Sequence, residues 1–268
     1  MTQVTPVKAS FRSLRTRVLK LAGRFIALAL LLVTTSVTQA ADARTLNALF
    51  DSVLSENVKD GYVDYPAIAR NVRFSKYLES LAEFNLDTLS DDQDKLAFWL
   101  NVYNALVIKN IIDGKSPNGV MDRMTFFGAN MQVGGRSIDL KSIESDILRK
   151  FKDPRVHFAI VPAASSAPKL RSQAFNGEEV QQQLESATRD FINDKRRNRF
   201  SAALQAAKLS KIFEQHRDDF GKSDKQLLGY VAGYVNDEEV AKILKRGTYS
   251  IKFMDYDATI NGNSIQAH

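Results

Sequence analysis

Residues 91 to 112 fix the centre of whatever this chain folds into. Leu96, Trp99, Leu100, Tyr103 and Val107 recur at helical spacing, and Phe98, Val102, Leu106 and Ile108 make most of the remaining surface apolar. A helix that is apolar nearly all round is central to its domain. Ser90-Asp91-Asp92-Gln93 reads as a capping box opening it, and Gly114 ends it just after Ile112. Asn101 and Asn104 stand out as amides three residues apart on this helix.

Other elements follow from periodicity and punctuation. Residues 42 to 57 and Phe74 to Phe84 read as amphipathic helices. Met131 to Ile138 reads as a hairpin turning at Gly134-Gly135, followed by a helix with Leu140, Ile143, Ile147 and Leu148 inward. Asp153-Pro154 marks a turn. Val156 to Val161 reads as a short buried strand, with His157, Ala159 and Val161 on one face. Asn176 and Glu179 cap a helix through Phe191, and further helices fit Ser210–Phe220, Ser223–Tyr234 and Asn236–Lys245. Thr248 to Met254 reads as a late strand. Strands that are few and irregularly placed among helices predict an α+β fold: a helix-rich single domain with a small mixed or antiparallel sheet.

The front end has a different character. Met1 to Ala40 carries Lys8, Arg12, Arg15, Arg17, Lys20 and Arg24 and no acid, then an apolar run from Phe25 to Val33 extended weakly to Val37. Thr38 and Ala40 are the small residues a signal peptidase needs, with Ala41-Asp42-Ala43 as a second site. The reading is a cleaved secretory signal peptide over 1–40 and one globular domain over 41–268, in the periplasm or outside the cell. An uncleaved anchor is the alternative, but the run is short against the ~20 residues that span a bilayer. Membrane contact is expected only through this leader.

Charge then excludes one class of partner. Of 37 Lys and Arg, six lie in the leader, and the 31 that remain match 31 Asp and Glu. A balanced chain lacks the surplus of cations that nucleic-acid binding requires, so none is expected. The basic cluster Lys195-Arg196-Arg197-Asn198-Arg199 reads as a solvated helix end complementing the dipole. With no cysteine, thiol catalysis, disulfides and Fe–S clusters are impossible. Three histidines without ligand spacing predict no metal and no cofactor.

His157 is the titratable residue of most interest, either a satisfied core histidine or a functional one. Ser165 and Ser166 follow it closely, and Asp153 or Asp257 could orient its ring, although no G-x-S-x-G elbow is present. Beyond these residue-level readings, four segments in order carry a family resemblance. They are Phe98-Trp99-Leu100-Asn101-Val102-Tyr103-Asn104-Ala105, Asp153-Pro154-Arg155-Val156-His157-Phe158-Ala159, Leu209-Ser210-Lys211-Ile212-Phe213 with Asp219-Phe220, and Tyr256-Asp257 with Asn261. Val63-Asp64-Tyr65 adds an upstream element. Together they resemble the domain of unknown function 547 family, with its core over about 90–195 and a C-terminal extension over 196–268.

The resemblance implies an exported domain without an established reaction. It also implies two cysteines after the histidine, where this chain has Pro162 and Ala167, while the family proline stands as Pro168. The expected polar cluster or pocket comprises Trp99, Asn101, Tyr103, Asn104, Asp153, Arg155, His157, Tyr256 and Asp257. The expected function is a non-catalytic binding or scaffolding domain of the cell envelope, with a ligand or envelope protein of unknown identity as partner. The alternative is a hydrolase or acyl transferase using His157 with Ser165 or Ser166.

Overall fold

The computed structural model describes residues 1–2, 42–89 and 91–262. Apart from Met1 and Thr2, the expected leader lies outside these residues, as do Ser90 and His268. The central helix runs Asp92–Ile112, with Leu96 to Ile108 and Asn110 all buried. Its cap is Asp91, whose carboxylate accepts hydrogen bonds from the backbone N–H groups of Gln93 and Asp94. That places negative charge at the positive end of the helix dipole. Leu100 and Leu106 are 0 % exposed, and such burial contributes about 1.5–3 kcal/mol per side chain. Helices Ala43–Asn57, Tyr65–Ala69 and Val180–Asn193 and the turns of 140–151 surround it.

The sheets are small. Val58–Lys59 pairs with Tyr62–Val63, and Met131–Val133 with Arg136–Ile138, both antiparallel. The second hairpin turns on Gly134 and Gly135, at φ 57° and 70°. A Cβ on Gly134 would stand 2.7 Å from Leu86, so conformation and space both demand glycine there. A third sheet joins Arg199–Ser201 antiparallel to Ala206–Leu209, and the latter parallel to Ser250–Phe253. The fold is α+β and helix-rich, with antiparallel and mixed sheets. No helix among the described residues is long and apolar enough to cross a membrane.

Three local expectations are corrected. Val156 to Val161 is not a strand: Pro154–Phe158 is a turn of 3-10 helix, started by the Asp153 carboxylate accepting from Arg155 N–H, and an irregular buried stretch follows. A short apolar run buried on all sides carries no period that separates strand from helix. The helix expected over Ser210–Phe220 is broken into Lys211–Gln215 and Arg217–Phe220 at His216, whose φ and ψ are −116° and 35°. The strands Arg199–Ser201 and Ala206–Leu209 lie where a helix end and no defined element were expected.

The described residues from 42 to 262 form one compact unit with two apolar clusters. The first gathers buried side chains from Leu46 to Leu184. The second gathers Phe158 with residues from Phe191 to Tyr249. Phe158 stacks among Phe191, Phe213 and Phe220 at centroid distances of 4.8, 5.6 and 5.5 Å, while Val156 and Ala159 beside it belong to the first cluster. The turn that holds His157 is therefore the seam between the two.

Candidate functional site

His157 is 5 % exposed and held on both sides of the seam. Its Nε2 lies 2.8 Å from Asp219 Oδ2, so Asp219 fixes the ring orientation. Arg149 in turn donates to both Asp219 oxygens, at 3.1 and 3.2 Å. The ring of His216 stacks on His157 with centroids 3.9 Å apart. Glu144 Oε1 stands 3.9 Å from His216 Nε2, too far for a hydrogen bond. His157 Nδ1 is buried and has no hydrogen-bond partner.

Each side chain arrives through an irregularity of the chain. Glu144 lies on one turn of π-helix, Ile143–Ile147, a widened turn that recurs at functional sites. His216 lies at the break between two short helices, and Asp219 on the second of them. Sequence separations of 13 and 59 residues between Glu144, His157 and His216 explain why no spacing motif revealed them.

Burial dominates the electrostatics. It pushes the His157 imidazole below its ordinary range despite the opposing pull of Asp219. Burial, with His157 alongside, pushes His216 down to about 4. Both shifts favour the neutral ring. Burial also raises Glu144, with Asp219 adding to the effect against Arg149. Asp219 is held below the usual carboxylate range: burial opposes this, but the hydrogen bonds and charges of His157 and Arg149 prevail.

His157, His216 and Glu144 face a cavity of about 370 Å³. Its walls include Phe127, Ile160, Ile212, Pro162 and Pro168, its deeper polar lining Tyr103, Glu144, His157, His216 and Tyr256, and its mouth the exposed Arg123 and Lys141. Among the described residues that line it there is no serine, threonine or cysteine. Position 162, where the family resemblance implies a cysteine, is thus a proline on the cavity wall.

The expected cluster divides among several places. Tyr103, His157 and Tyr256 meet in this cavity. Asn101 and Asn104 instead clamp backbone, and Asn101 Nδ2 also donates to Asn47 Oδ1 at 2.9 Å. Asn101 Nδ2 donates to Phe175 O at 2.8 Å and its Oδ1 accepts from Phe175 N–H at 2.9 Å. Asn104 Nδ2 donates to Ala159 O at 3.0 Å and its Oδ1 accepts from Val161 N–H at 3.0 Å. Trp99 packs edge-on against Phe98. Asp153 and Arg155 pair with each other at 2.7 Å, so Asp153 does not orient His157. Asp257 does not either: its carboxylate accepts from Thr259 N–H. Asp219 takes that part, from a segment that carried the resemblance but no assigned role.

Ser165 and Ser166 line a separate recess with Asp257, Ser210 and Arg197. Ser166 Oγ accepts from Asp257 N–H at 2.8 Å, and the one hydrogen bond to the His157 ring among the described residues is that of Asp219. The basic cluster also departs from expectation. Arg197 is 8 % exposed and is not a solvated end. It donates to Ala167 O at 2.7 Å and Ser165 O at 3.2 Å and pairs with Asp194. Sequence offered no sign of this, because a loop carbonyl 30 residues away is invisible to charge pattern. The segment 256–262 lies along the same loop, with Ser165 N–H donating to Thr259 O and Asn261 N–H to Ala163 O. Tyr65 Oη donates to Asn261 Oδ1 at 2.7 Å, so the scattered motif residues Tyr65, Asp257 and Asn261 meet around it.

No curated protein and no solved structure matches this chain significantly. A family model does match, over the central helix, the π-turn and the histidine turn, though not over His216 or Asp219. Residues 86–192 match the family model described as "Protein of unknown function, DUF547".

Proposed function

We propose that this protein is an exported, non-catalytic binding domain whose ligand is a small organic molecule with an apolar body and an anionic group. The observation that carries the reading is the cavity of about 370 Å³ between the two apolar clusters, a size suited to small ligands. Phe127, Ile160 and Ile212 offer apolar contact, and Arg123 and Lys141 at the mouth offer positive charge to an anion. Acyl transfer is disfavoured because the described residues lining the cavity include no serine, threonine or cysteine to act as nucleophile beside His157.

Export rests on the leader pattern in 1–40. N-terminal sequencing of protein recovered from the periplasm of an expressing bacterium should begin at Ala41. Recovery of full-length chain in the cytoplasm would contradict export.

Binding is tested by thermal melting of the purified protein with benzoate and with hexanoate. A ligand that binds only the native state raises the melting temperature. At least one probe should raise it, and the exposed charge reversals Arg123→Glu and Lys141→Glu should each weaken that effect about tenfold in concentration. No response to either probe, or an equal response in both variants, would overturn the ligand class. Ester hydrolysis that disappears in Ser165→Ala or Ser166→Ala would overturn the non-catalytic reading.

A further inference from the structure

We infer that Glu144, His157 and His216 bind a zinc-class divalent cation in the depth of the cavity, independently of any organic ligand. Donor atoms of the three residues all lie within 4.8 Å of one another. Two imidazoles and one carboxylate make a set that suits zinc, cobalt or nickel, whereas magnesium and calcium prefer oxygen alone.

The state of His157 is the independent observation. Its Nε2 is taken up by Asp219 at 2.8 Å. Its Nδ1 is buried and has no hydrogen-bond partner, although buried polar atoms are nearly always paired. With Nε2–H donated to the carboxylate, the Nδ1 lone pair is free. An imidazole that ligates a metal usually hands its other ring N–H to a carboxylate in this way, which fixes its tautomer. Asp219 is then a positioning residue, itself held by Arg149.

A purely structural stack of two histidines accounts less well for the arrangement. It leaves Nδ1 unpaired, and it leaves the half-buried Glu144 with His216 at 3.9 Å as its ion-pair neighbour among the described residues. A cation satisfies the nitrogen and the carboxylate together.

Metal–ligand bonds of about 2.0–2.1 Å place neighbouring tetrahedral donors roughly 3.3 Å apart. Binding therefore draws the three donors together and opens the 26° stack of the two rings. His216 is the ring free to move: it is 26 % exposed and sits at a helix break. Three protein ligands leave a fourth position facing the cavity, open to water or to a ligand carboxylate.

The test is titration of the chelator-stripped, full protein with Co²⁺, followed by displacement with Zn²⁺. One equivalent of Co²⁺ should give visible absorption bands, Zn²⁺ should abolish them, and Mg²⁺ should neither produce nor displace them. His216→Gln and Glu144→Gln should weaken binding at least tenfold with unchanged circular dichroism. Asp219→Asn should weaken it by roughly 10–100-fold and shift the cobalt spectrum. His268→Ala should change nothing. The inference is overturned if Co²⁺ gives no bands, if binding survives unchanged in both His216→Gln and Glu144→Gln, or if it depends on His268. None of these results bears on benzoate or hexanoate binding measured in chelator, so the two readings fail separately.

Discussion

Asn104 shows how one buried amide can take the place of a strand. Its side chain donates to Ala159 O and accepts from Val161 N–H, as a neighbouring backbone would. The stretch after His157 thus stays inside the core without a sheet partner, and the cavity wall at Ile160 is fixed. Asn104→Ala leaves a buried carbonyl and a buried N–H unpaired, and each such group costs about 1–3 kcal/mol. Denaturant unfolding should show a loss of about 2–5 kcal/mol, and a loss below 1 kcal/mol would show that the segment finds other partners. Leu100→Ala, which removes a 0 % exposed side chain and makes no polar change, should cost about 2–5 kcal/mol by cavity formation. The two amides were visible in sequence as polar intruders on an apolar helix. Their partners were not: Phe175, Ala159 and Val161 contribute backbone atoms, and the Asn47 Oδ1 that accepts from Asn101 Nδ2 lies 54 residues away, so no residue pattern encodes them.

At the scale of elements, helices with local signals were legible and seams were not. Asp92–Ile112, Ala43–Asn57 and the Gly134-Gly135 hairpin follow from periodicity, caps and turn glycines. The Ser223–Gln226 capping box and Gly247 at φ 71° likewise bound their helices. The histidine turn, the break at His216 and the strand Ala206–Leu209 depend on tertiary contacts. So does the loop 163–168, which Arg197 clamps from the far end of the Val180–Asn193 helix. Arg197→Ala would leave two loop carbonyls unmet and Asp194 with Arg196 as its remaining cationic partner. Each buried carbonyl left without a donor costs about 1–3 kcal/mol, so chemical denaturation should read a loss of roughly 2–5 kcal/mol. Asp194 makes the same clamp sensitive to acid. Burial works to raise its pKa, but the hydrogen bonds of Arg196 and the charges of Arg197 and Arg196 hold it below the ordinary carboxylate value. Its folded pKa is lower than its unfolded one, so the stability it contributes is complete above the usual carboxylate range and is lost as pH falls through the depressed value. Asp194→Asn should flatten that part of the stability–pH curve, and an unchanged slope would show that the pair is not linked to acid unfolding.

In the whole molecule, the family segment 86–192 supplies Tyr103, Glu144 and His157, and the following residues supply Ile212, His216, Asp219 and Tyr256. The cavity lies where the two apolar clusters meet: Ile160 of the first and Ile212 of the second both line it. A chain ended at residue 195 would expose Phe158, Phe191 and the His157 ring. It should lack a cooperative thermal transition, and a sharp transition in that truncated chain would contradict the dependence of one cluster on the other. The central claim is that the seam holds a binding cavity and not a buried structural stack. The most direct test is to follow the imidazole resonances by NMR while benzoate and hexanoate are added. The chain has three histidines, so the signals are few enough to assign by single substitution. The ring signals of His157 and His216 should shift with saturation while that of His268 stays in place. Signals of His157 and His216 that remain fixed through both titrations would contradict the claim.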